Sequence, residues 1–276
     1  MSCNPRNISI FSLINQVPLF QGLKLSELRK IASFSRIIVA PRREMLFCKD
    51  DACTGLFVVV HGQVKLFFSS PLGNEKILDV FGKNQTLGES VLFQGGNYQF
   101  YAQTLNECML LYISKQAIVD VLDENPLFAR RIISDLSKTV FGLTQSVESY
   151  ALHSGRQRVI NYLAREALRD NPELLSLQIT AAEQLATLKI SLPISKGVIA
   201  SCLNLTQEHF SRILHDLAVD GFLFVDGRDI HIVDRAQFWQ YACLVALQSE
   251  SVQSNSWSAA AEFSPLNRGL AQRVTS

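Results

Sequence analysis

The longest regular pattern in the chain runs from Pro126 to about Ala151, where apolar residues recur alternately every four and every three positions. This spacing places them on one narrow stripe of an α-helix, at the a and d positions of a heptad repeat. A narrow stripe on a long helix favours pairing with a second copy of the chain. The stripe begins at Ala129, and the residues that we expect to form a homodimer interface are Ile133, Leu136, Val140, Leu143, Val147 and Tyr150. The alternative is a helix that packs against its own domain.

A second helical pattern, in residues 206–217, divides one helix into two faces at about 100° per residue. The apolar face comprises Phe210, Ile213, Leu214 and Leu217, and the polar face comprises Gln207, Glu208, Ser211, Arg212 and His215. Asn204 precedes the helix where a left-handed turn residue is expected, and Thr206 is the expected N-cap. Two short helices around such a turn are typical of a helix-turn-helix.

The polar face suits the base edges of double-stranded DNA, because Arg pairs with guanine, Glu accepts from cytosine and Ser can do either. The N-terminal end of the second helix enters the major groove in this motif. We therefore predict that the DNA-contacting residues are Thr206, Gln207, Glu208, Ser211 and Arg212. An ordinary amphipathic surface helix is the alternative interpretation.

A β-hairpin is predicted directly after this helix. Gly221 is followed by the apolar run FLFV, then by Asp226-Gly227, then by RDIHIV, and Asp-Gly between two such runs is a strong hairpin signal. A hairpin in this position is a wing, which lies along the phosphate backbone. Arg228 at its tip is the expected phosphate contact.

The N-terminal half has a different pattern, with short β runs between Glu44 and Ser114 separated by turns. The runs are MLFC, LFVVVH, QVKLFF, KILDVF and CMLLYIS. They predict an antiparallel barrel or jelly roll. In front of them a helix is predicted, with Ser26 as its N-cap and Leu28, Ile31 and Ala32 on one face.

Together these patterns predict an α+β chain in four segments. Residues 1–124 form a β-barrel domain with an N-terminal helix, and 125–153 form the long dimerisation helix and hinge. Residues 154–235 form a winged helix-turn-helix domain, and 236–276 form a C-terminal extension that is partly disordered. Within the third segment, residues 173–188 are an insertion whose role the sequence does not reveal.

Composition narrows the classes of function. Lys+Arg 26 against Asp+Glu 25 gives a net charge of +1, so there is no bulk basic field. Six cysteines contain no CxxC pair, which argues against a zinc ribbon or a disulfide framework. No apolar run is long enough to span a membrane and the N-terminus lacks signal-peptide features, so we expect a cytoplasmic protein with no membrane contact. Nucleophile–base pairs, phosphate loops and metal-ligand pairs are missing from the sequence, which favours a non-enzyme.

Barrel, long helix and winged helix in this order resemble the CRP/FNR superfamily of bacterial transcription regulators, over residues 18–235. PLFQGLKLSELRKIA is similar to the family's opening helix, LFVVVHGQVKLF to its strand-Gly-strand signature around Gly62, and LGESVLF to the cassette after the ligand loop. In the FNR branch the recognition helix carries Glu, two residues, then Ser-Arg. Glu208, Ser211 and Arg212 match each of these positions.

The resemblance implies a homodimer that reads TTGAT half-sites in an inverted repeat, with Arg212 on guanine and RNA polymerase as a further partner. The Dnr-type branch, which responds to nitric oxide, is the most similar. NEKILDV, Asn97-Tyr98 and the stretches FSRILHDL and DGRDIHIVDR match it. This branch implies activation of nitrogen-oxide respiration genes at low oxygen.

The effector pocket that the resemblance implies contains Gly88, Glu89, Ser90, Gln99 and Phe100. Members that bind cyclic AMP hold its phosphate with an Arg-Ser pair, where this chain has Gln99 and Phe100. Gln is neutral and cannot replace the charged bidentate grip of Arg. We therefore expect that cyclic AMP does not bind tightly. Glu89 then has a structural role, as a carboxylate held by free amides at a helix N-terminus.

The positions of the cysteines and histidines limit which other cofactors the chain can bind. An FNR-type iron–sulfur cluster is excluded because Cys3 is the only cysteine before Cys48. Cys48 and Cys53 are a possible redox pair, although free cytoplasmic cysteines are more often buried hydrophobes. Haem is the expected cofactor of the Dnr branch, but no axial ligand is identified, and any metal ligand stays unknown. The histidines are His61, His153, His209, His215 and His231.

Two further interpretations stay open. One is a CRP-like regulator that responds to a cyclic nucleotide or acts without an effector. The other, from a different class, is a ligand-binding regulatory subunit that does not bind DNA, although such a subunit has no need for the winged helix.

Overall fold

The computed structural model describes residues 9–171, 188–233, 238–239 and 241–242. Its contacts divide the chain into two compact units, the first made of residues 1–153 and 194–210, the second of residues 154–193 and 211–276. The boundary after His153 coincides with the end of the predicted long helix, whereas residues 194–210 group with the barrel. Of the predicted insertion, only Leu188 is among the described residues. Of the predicted C-terminal extension, only residues 238–239 and 241–242 are.

The first unit contains two four-stranded antiparallel sheets, with strand orders β1-β8-β3-β6 and β2-β7-β4-β5. The strands are β1 (Ser35–Ala40), β2 (Met45–Phe47), β3 (Gly55–His61), β4 (Val64–Ser69), β5 (Glu75–Phe81), β6 (Thr86–Leu87), β7 (Tyr101–Thr104) and β8 (Cys108–Ser114). Each predicted β run falls in one of them, and the α+β prediction is confirmed. Strands β1, β6 and β7 were not predicted.

The helices of the first unit surround this barrel. They are α1 (Ile10–Gln16), a 3-10 turn (Pro18–Phe20), α2 (Leu25–Ser33), α3 (Glu89–Gln94), α4 (Lys115–Glu124), α5 (Pro126–Leu152) and α7 (Lys196–Cys202). The apolar faces of α1 to α5 close one core with the inner residues of β3 and β8, where Leu56, Leu110, Leu111 and Ile113 are fully buried. Burial of such side chains is the main favourable contribution to folding.

The predicted cap of α2 is wrong. The helix begins two residues earlier than expected, at Leu25, with Lys24 as its N-cap. The backbone N–H of Lys24 donates to Glu27 Oε2 at 2.6 Å, so a side chain inside the helix satisfies the amide in front of it. Ser26 is consequently the second residue of the helix. The face that packs inward is as predicted, since Leu28 and Ile31 are buried.

Helix α5 has the predicted length. It begins after Asn125, whose side-chain oxygen accepts from the backbone N–H groups of Leu127 at 2.9 Å and Phe128 at 3.3 Å. Pro126 at the first helical position lacks an N–H, so nothing is left unpaired there. Beyond Leu136 the helix buries little of its apolar stripe within this chain.

The second unit contains α6 (Gly155–Asp170), most of α8 (Gln207–Val219) and a three-stranded antiparallel sheet with the order β10-β11-β9. Its strands are β9 (Leu188–Ser191), β10 (Leu223–Asp226) and β11 (Asp229–Ile232). The hairpin is as predicted, but the two residues between its strands are Gly227 and Arg228, because Asp226 pairs with Asp229. Gly227 has φ +59°, which is the conformation that favours glycine. Strand β9 was not predicted.

Candidate nucleic-acid interface

The turn between α7 and α8 has the geometry that the sequence predicts. Asn204 has φ +56°, in the left-handed region. The Thr206 hydroxyl accepts from the backbone N–H of His209 at 3.2 Å, which caps the first turn of α8. The Leu205 N–H donates to the Ala200 carbonyl at 2.9 Å and closes the turn onto α7. The N-terminus of α8 is thus fixed by a cap and by a turn of the correct handedness.

The two faces of α8 are separated by burial. Its apolar side chains are 0 to 6% exposed and are Phe210, Ile213, Leu214 and Leu217. Its polar side chains are all exposed and are Gln207, Glu208, Ser211, Arg212 and His215. The helix therefore presents hydrogen-bonding groups of both kinds to solvent along one continuous side, beginning at its capped end. This pattern suits a helix that reads base edges.

Arg228 lies at the tip of the hairpin, as predicted, and is exposed. Its Nη2 donates to the Pro193 carbonyl at 3.4 Å, and the Leu192 N–H donates to the Arg228 carbonyl at 2.9 Å. The guanidinium keeps further N–H groups that this contact does not use, so it can donate to a phosphate oxygen.

The outer face of the same sheet is polar and partly aromatic. Phe224 and His231 pair across β10 and β11 with stacked rings 4.3 Å apart. Lys189 Nζ lies 2.7 Å from Asp229 Oδ2. The hydrogen bond from Lys189 lowers the pKa of Asp229 below its ordinary value. The positive charge of Lys189 thus offsets the negative charge of Asp229, the residue that follows Arg228.

The predicted dimerisation stripe is exposed on α5. Ile133, Val140, Leu143 and Val147 are each 62 to 66% exposed. Leu136 differs, because it is partly buried and packs against the core of its own unit. Beside them Phe141 is 53% exposed and widens the apolar surface. An exposed apolar surface along a long helix is typical of an interface with another protein chain.

Three residues of the predicted effector pocket, Gly88, Glu89 and Ser90, form the start of α3. Gly88 is its N-cap with φ +106°, a conformation that other residues rarely adopt. Glu89 is the first residue of α3, where its carboxylate accepts hydrogen bonds from the Thr86 side chain and its own backbone N–H. Burial nevertheless raises the pKa of Glu89 above its ordinary value. Ser90 is exposed. The predicted location of Glu89 at a helix N-terminus is confirmed.

An aromatic cluster adjoins this segment. The rings of Phe47 and Tyr98 stack 3.7 Å apart, and Phe100 lies 6.1 Å from Phe47 and 6.2 Å from Tyr98. The Tyr98 hydroxyl donates to the Gly55 carbonyl at 3.3 Å. Burial raises the pKa of this hydroxyl, so it stays protonated. Phe100 thus takes part in packing, where a phosphate-binding pair would need a hydroxyl donor.

Gln99 is exposed, and its Nε2 donates to the Asn97 carbonyl at 3.1 Å. The pocket residues Gly88, Glu89, Ser90, Gln99 and Phe100 include neither a cation for a phosphate nor a His, Cys or Met for a haem iron. A thiol does lie beside them, because Cys53 Sγ contacts the Gly55 carbonyl at 3.5 Å and the Gly88 carbonyl at 3.8 Å.

Among the described residues, none of the cysteines Cys48, Cys53, Cys108 and Cys202 forms a disulfide bond. His61 is exposed at the end of β3. In the same part of the chain, no three His, Cys, Asp or Glu side chains are grouped so as to hold a metal ion.

Two family models match the chain in the order that the fold suggests. The model for a cyclic nucleotide-binding domain matches residues 37–125, and the model for a Crp-like helix-turn-helix domain matches residues 157–241. Together they cover more than half of the chain. The chain belongs to the CRP/FNR family of DNA-binding transcription regulators.

Individual relatives agree with this assignment. The CRP-like cAMP-activated global transcriptional regulator of Mycobacterium tuberculosis is 21% identical over 80% of this chain and 95% of its own length. The solved structure of FixK2 from Bradyrhizobium japonicum is 18% identical over 75% of this chain and 96% of that one, with a TM-score of 0.62. The structure of Dnr from Pseudomonas aeruginosa is 26% identical over 83% and 96%, but with a TM-score of 0.44. The Dnr branch therefore stays a prediction.

One contact within the helix-turn-helix of this CRP/FNR regulator was not predicted. Gly197 in α7 faces Gln207 of α8, where Oε1 lies 2.7 Å from the position of a Cβ on Gly197. A glycine within a helix can indicate such a contact, because the missing side chain permits close approach of a neighbouring helix. As for membranes, none of the helices in the described ranges is long and apolar enough to cross one.

Proposed function

We propose that this CRP/FNR regulator binds inverted TTGAT-like half-sites as a homodimer and activates genes of low-oxygen or nitrogen-oxide respiration together with RNA polymerase. The observation that carries the proposal is the exposed face of α8, with Glu208, Ser211 and Arg212 beginning at a capped N-terminus. These three residues have the spacing that the resemblance to the FNR branch associates with TTGAT.

Each of the three side chains has a role in this proposal. Arg212 donates two hydrogen bonds to guanine O6 and N7, and Glu208 accepts from a cytosine amino group. Ser211 lies between them on the same exposed face. Arg228 supplies a contact to phosphate that fixes position without reading sequence. The net charge of +1 leaves non-specific attraction weak, so specificity depends on these base contacts.

A homodimer is supported by the exposed apolar stripe of α5. Two-fold symmetry of a dimer matches an inverted repeat, because each copy then meets one half-site. Burying Ile133, Val140, Leu143 and Val147 between two copies removes from water the apolar surface that a single chain exposes.

For the effector, we propose a ligand other than cyclic AMP, with haem and nitric oxide as the first candidates. The neutral, exposed Gln99 and the packed Phe100 argue against a charged phosphate at that location. Haem rests on the resemblance to the Dnr branch alone, and its iron ligand is unassigned. When bound, haem would supply an iron atom that takes up nitric oxide.

The experiment is anaerobic fluorescence anisotropy with full-length protein and a duplex that carries inverted TTGAT half-sites. Protein as purified is compared with haem-loaded protein treated with nitric oxide, and a duplex with the central bases of each half-site exchanged is the control. Tighter binding in the treated sample alone supports a haem-based sensor. Equal tight binding in both supports DNA recognition with another signal, and equal binding to both duplexes contradicts the half-site.

A cyclic-nucleotide-responsive regulator is the second candidate, because the family model of the barrel is that of a cyclic nucleotide-binding domain. Calorimetry with cyclic AMP separates the two, since low-micromolar affinity contradicts the proposed effector. The other alternative, a regulatory subunit that does not bind DNA, gives the exposed polar face of α8 no function. The anisotropy measurement tests this alternative directly, because such a subunit would bind neither duplex.

A further inference from the structure

The carbonyl end of α7 is held by side chains from outside the helix-turn-helix. The last carbonyls of any helix lack partners within the helix and need other donors. In α7 the Lys76 ammonium donates to the Ser201 carbonyl, which also accepts from the Asn204 N–H at 3.1 Å. The Tyr150 hydroxyl donates to the Cys202 carbonyl at 2.7 Å.

Lys76 lies on β5, the edge strand of the sheet β2-β7-β4-β5. Edge strands present unpaired N–H groups that need covering. Here the backbone N–H of Ile77 donates to Ser201 Oγ at 3.0 Å. Ser201 therefore bonds to β5 with its side chain and with its carbonyl, and the end of α7 covers the edge of the barrel.

Tyr150 lies in the last turns of α5, and its ring is 5.7 Å from Lys76 Nζ. Cation and ring therefore approach α7 from two different elements while contacting each other. The same packing explains why residues 194–210 belong to one compact unit with the barrel. A positive charge at the C-terminal end of a helix is also favoured by the helix dipole.

We propose that Lys76 and Tyr150 are positioning residues for DNA recognition, which hold the end of α7 and thereby fix the turn from which the DNA-reading face of α8 begins. The turn at Asn204 follows two residues after Cys202, so a shift of the carbonyl end of α7 displaces the N-terminus of α8. Neither side chain touches DNA in this role. The inference rests on the proposed DNA binding and adds the barrel's edge strand and the long helix as supports of the recognition helix.

The test uses the full-length variants Lys76→Met and Tyr150→Phe in the anisotropy assay, at several salt concentrations. We expect each variant to bind the preferred duplex roughly five-fold more weakly or worse, a typical size for coupling between distant groups. The slope of log affinity against log salt stays as in the parent protein, because no phosphate contact is lost. Lys76→Arg, which keeps a cationic donor, restores most of the affinity.

Matched controls are Lys83→Met, which removes an exposed lysine just after β5, and Tyr101→Phe, which removes a hydroxyl on β7. Both are expected to bind like the parent protein. Sedimentation velocity on Tyr150→Phe checks that its dimer is intact, since Tyr150 also belongs to the predicted stripe.

Three results would overturn the inference. The first is unchanged or tighter binding in Lys76→Met and Tyr150→Phe. The second is a salt slope that falls by about one in Lys76→Met, which would place Lys76 on a phosphate. The third is unchanged hydrogen exchange of the amides of residues 199–206 in both variants without DNA. Sequence-independent binding by the parent protein would instead contradict the proposed function, while hydrogen exchange would still decide whether the contact exists.

Discussion

Oε1 of Gln207 lies 2.7 Å from the point where a Cβ on Gly197 would stand, so the side chain of Gln207 is folded against α7. No other residue at position 197 leaves that room. Gln207 was predicted to contact DNA, and it is exposed, but its side-chain end rests on the first helix of its own motif. The contact with α7 occupies one end of this side chain, and its role in reading a base stays a prediction.

Gly197→Ala is expected to displace Gln207 and to leave the fold intact. The atom in the way is the far end of a flexible side chain, which can move at little cost. Replacing a helical glycine by alanine reduces the entropy of the unfolded chain, so the free energy of unfolding should rise by about 0.5 to 1 kcal/mol. Urea denaturation measures this change. Base preference should change next to the Glu208 contact, as selection from a randomised duplex library would show.

Gly142→Ala is the matched control for this change, because no atom lies within 4 Å of a Cβ at that position. It should stabilise the chain by a similar amount without altering base preference. A Gly197→Ala variant that is less stable than the parent protein would show that the contact with Gln207 is rigid.

Arg212→Ala should lower the binding free energy for the preferred duplex by roughly 1 to 3 kcal/mol and relax the preference at the contacted guanine. The reason is that a bidentate contact to guanine discriminates this base from the other three. Competition anisotropy against duplexes with each base at that position measures both effects. Arg29→Ala removes an exposed arginine on α2 and serves as the control for charge. Weaker binding with unchanged base preference would reassign Arg212 to the phosphate backbone.

Leu143→Glu should shift the dimer towards monomer in sedimentation velocity without lowering the stability of the isolated chain. Leu143 is 62% exposed, so a charge there meets water in the monomer but is buried in the proposed interface. Leu136 is a poorer choice, because it packs against the core of its own unit and its loss would also weaken the fold.

The control is Leu152→Glu, which places the same charge at a 74% exposed position outside the stripe. It should leave the dimer unaffected. A sedimentation profile of Leu143→Glu that matches the parent protein would remove the predicted stripe from the interface.

Local patterns in the sequence were sufficient for the helix-turn-helix, because its turn residue, its cap and its two faces lie within 14 residues of one another. Asn204, Thr206 and Phe210 take the conformations and the burial that their types indicate. Strand β6 has two residues, too few for any alternation to be seen, and β7 consists of Tyr101–Thr104 with little apolar character. Such strands depend on pairing with distant strands.

The same reason explains what was missed around the site. The contact between Lys76 and Ser201 joins residues 125 positions apart. A single sequence contains no periodicity that relates two positions so far apart. The cap of α2 was assigned to the residue type with the best propensity, Ser26, whereas the Glu27 carboxylate satisfied an earlier amide. Residue propensities therefore predicted the helix correctly but not the residue at which it begins.

Glu89 should make the stability of the fold depend on pH. Burial raises its pKa above the ordinary value of 4.5, so the folded state holds the proton more tightly than the unfolded state does. The resulting stabilisation is complete below that ordinary value and is lost as pH rises through the raised pKa. Glu89→Gln stays neutral throughout, and it should become progressively more stable than the parent protein between pH 4.5 and the raised pKa. Glu148→Gln, an exposed change on α5, controls for the loss of one charge. Parallel pH profiles for the parent protein and Glu89→Gln in urea denaturation would show that the hydrogen bonds from Thr86 and the backbone cancel the effect of burial on this pKa.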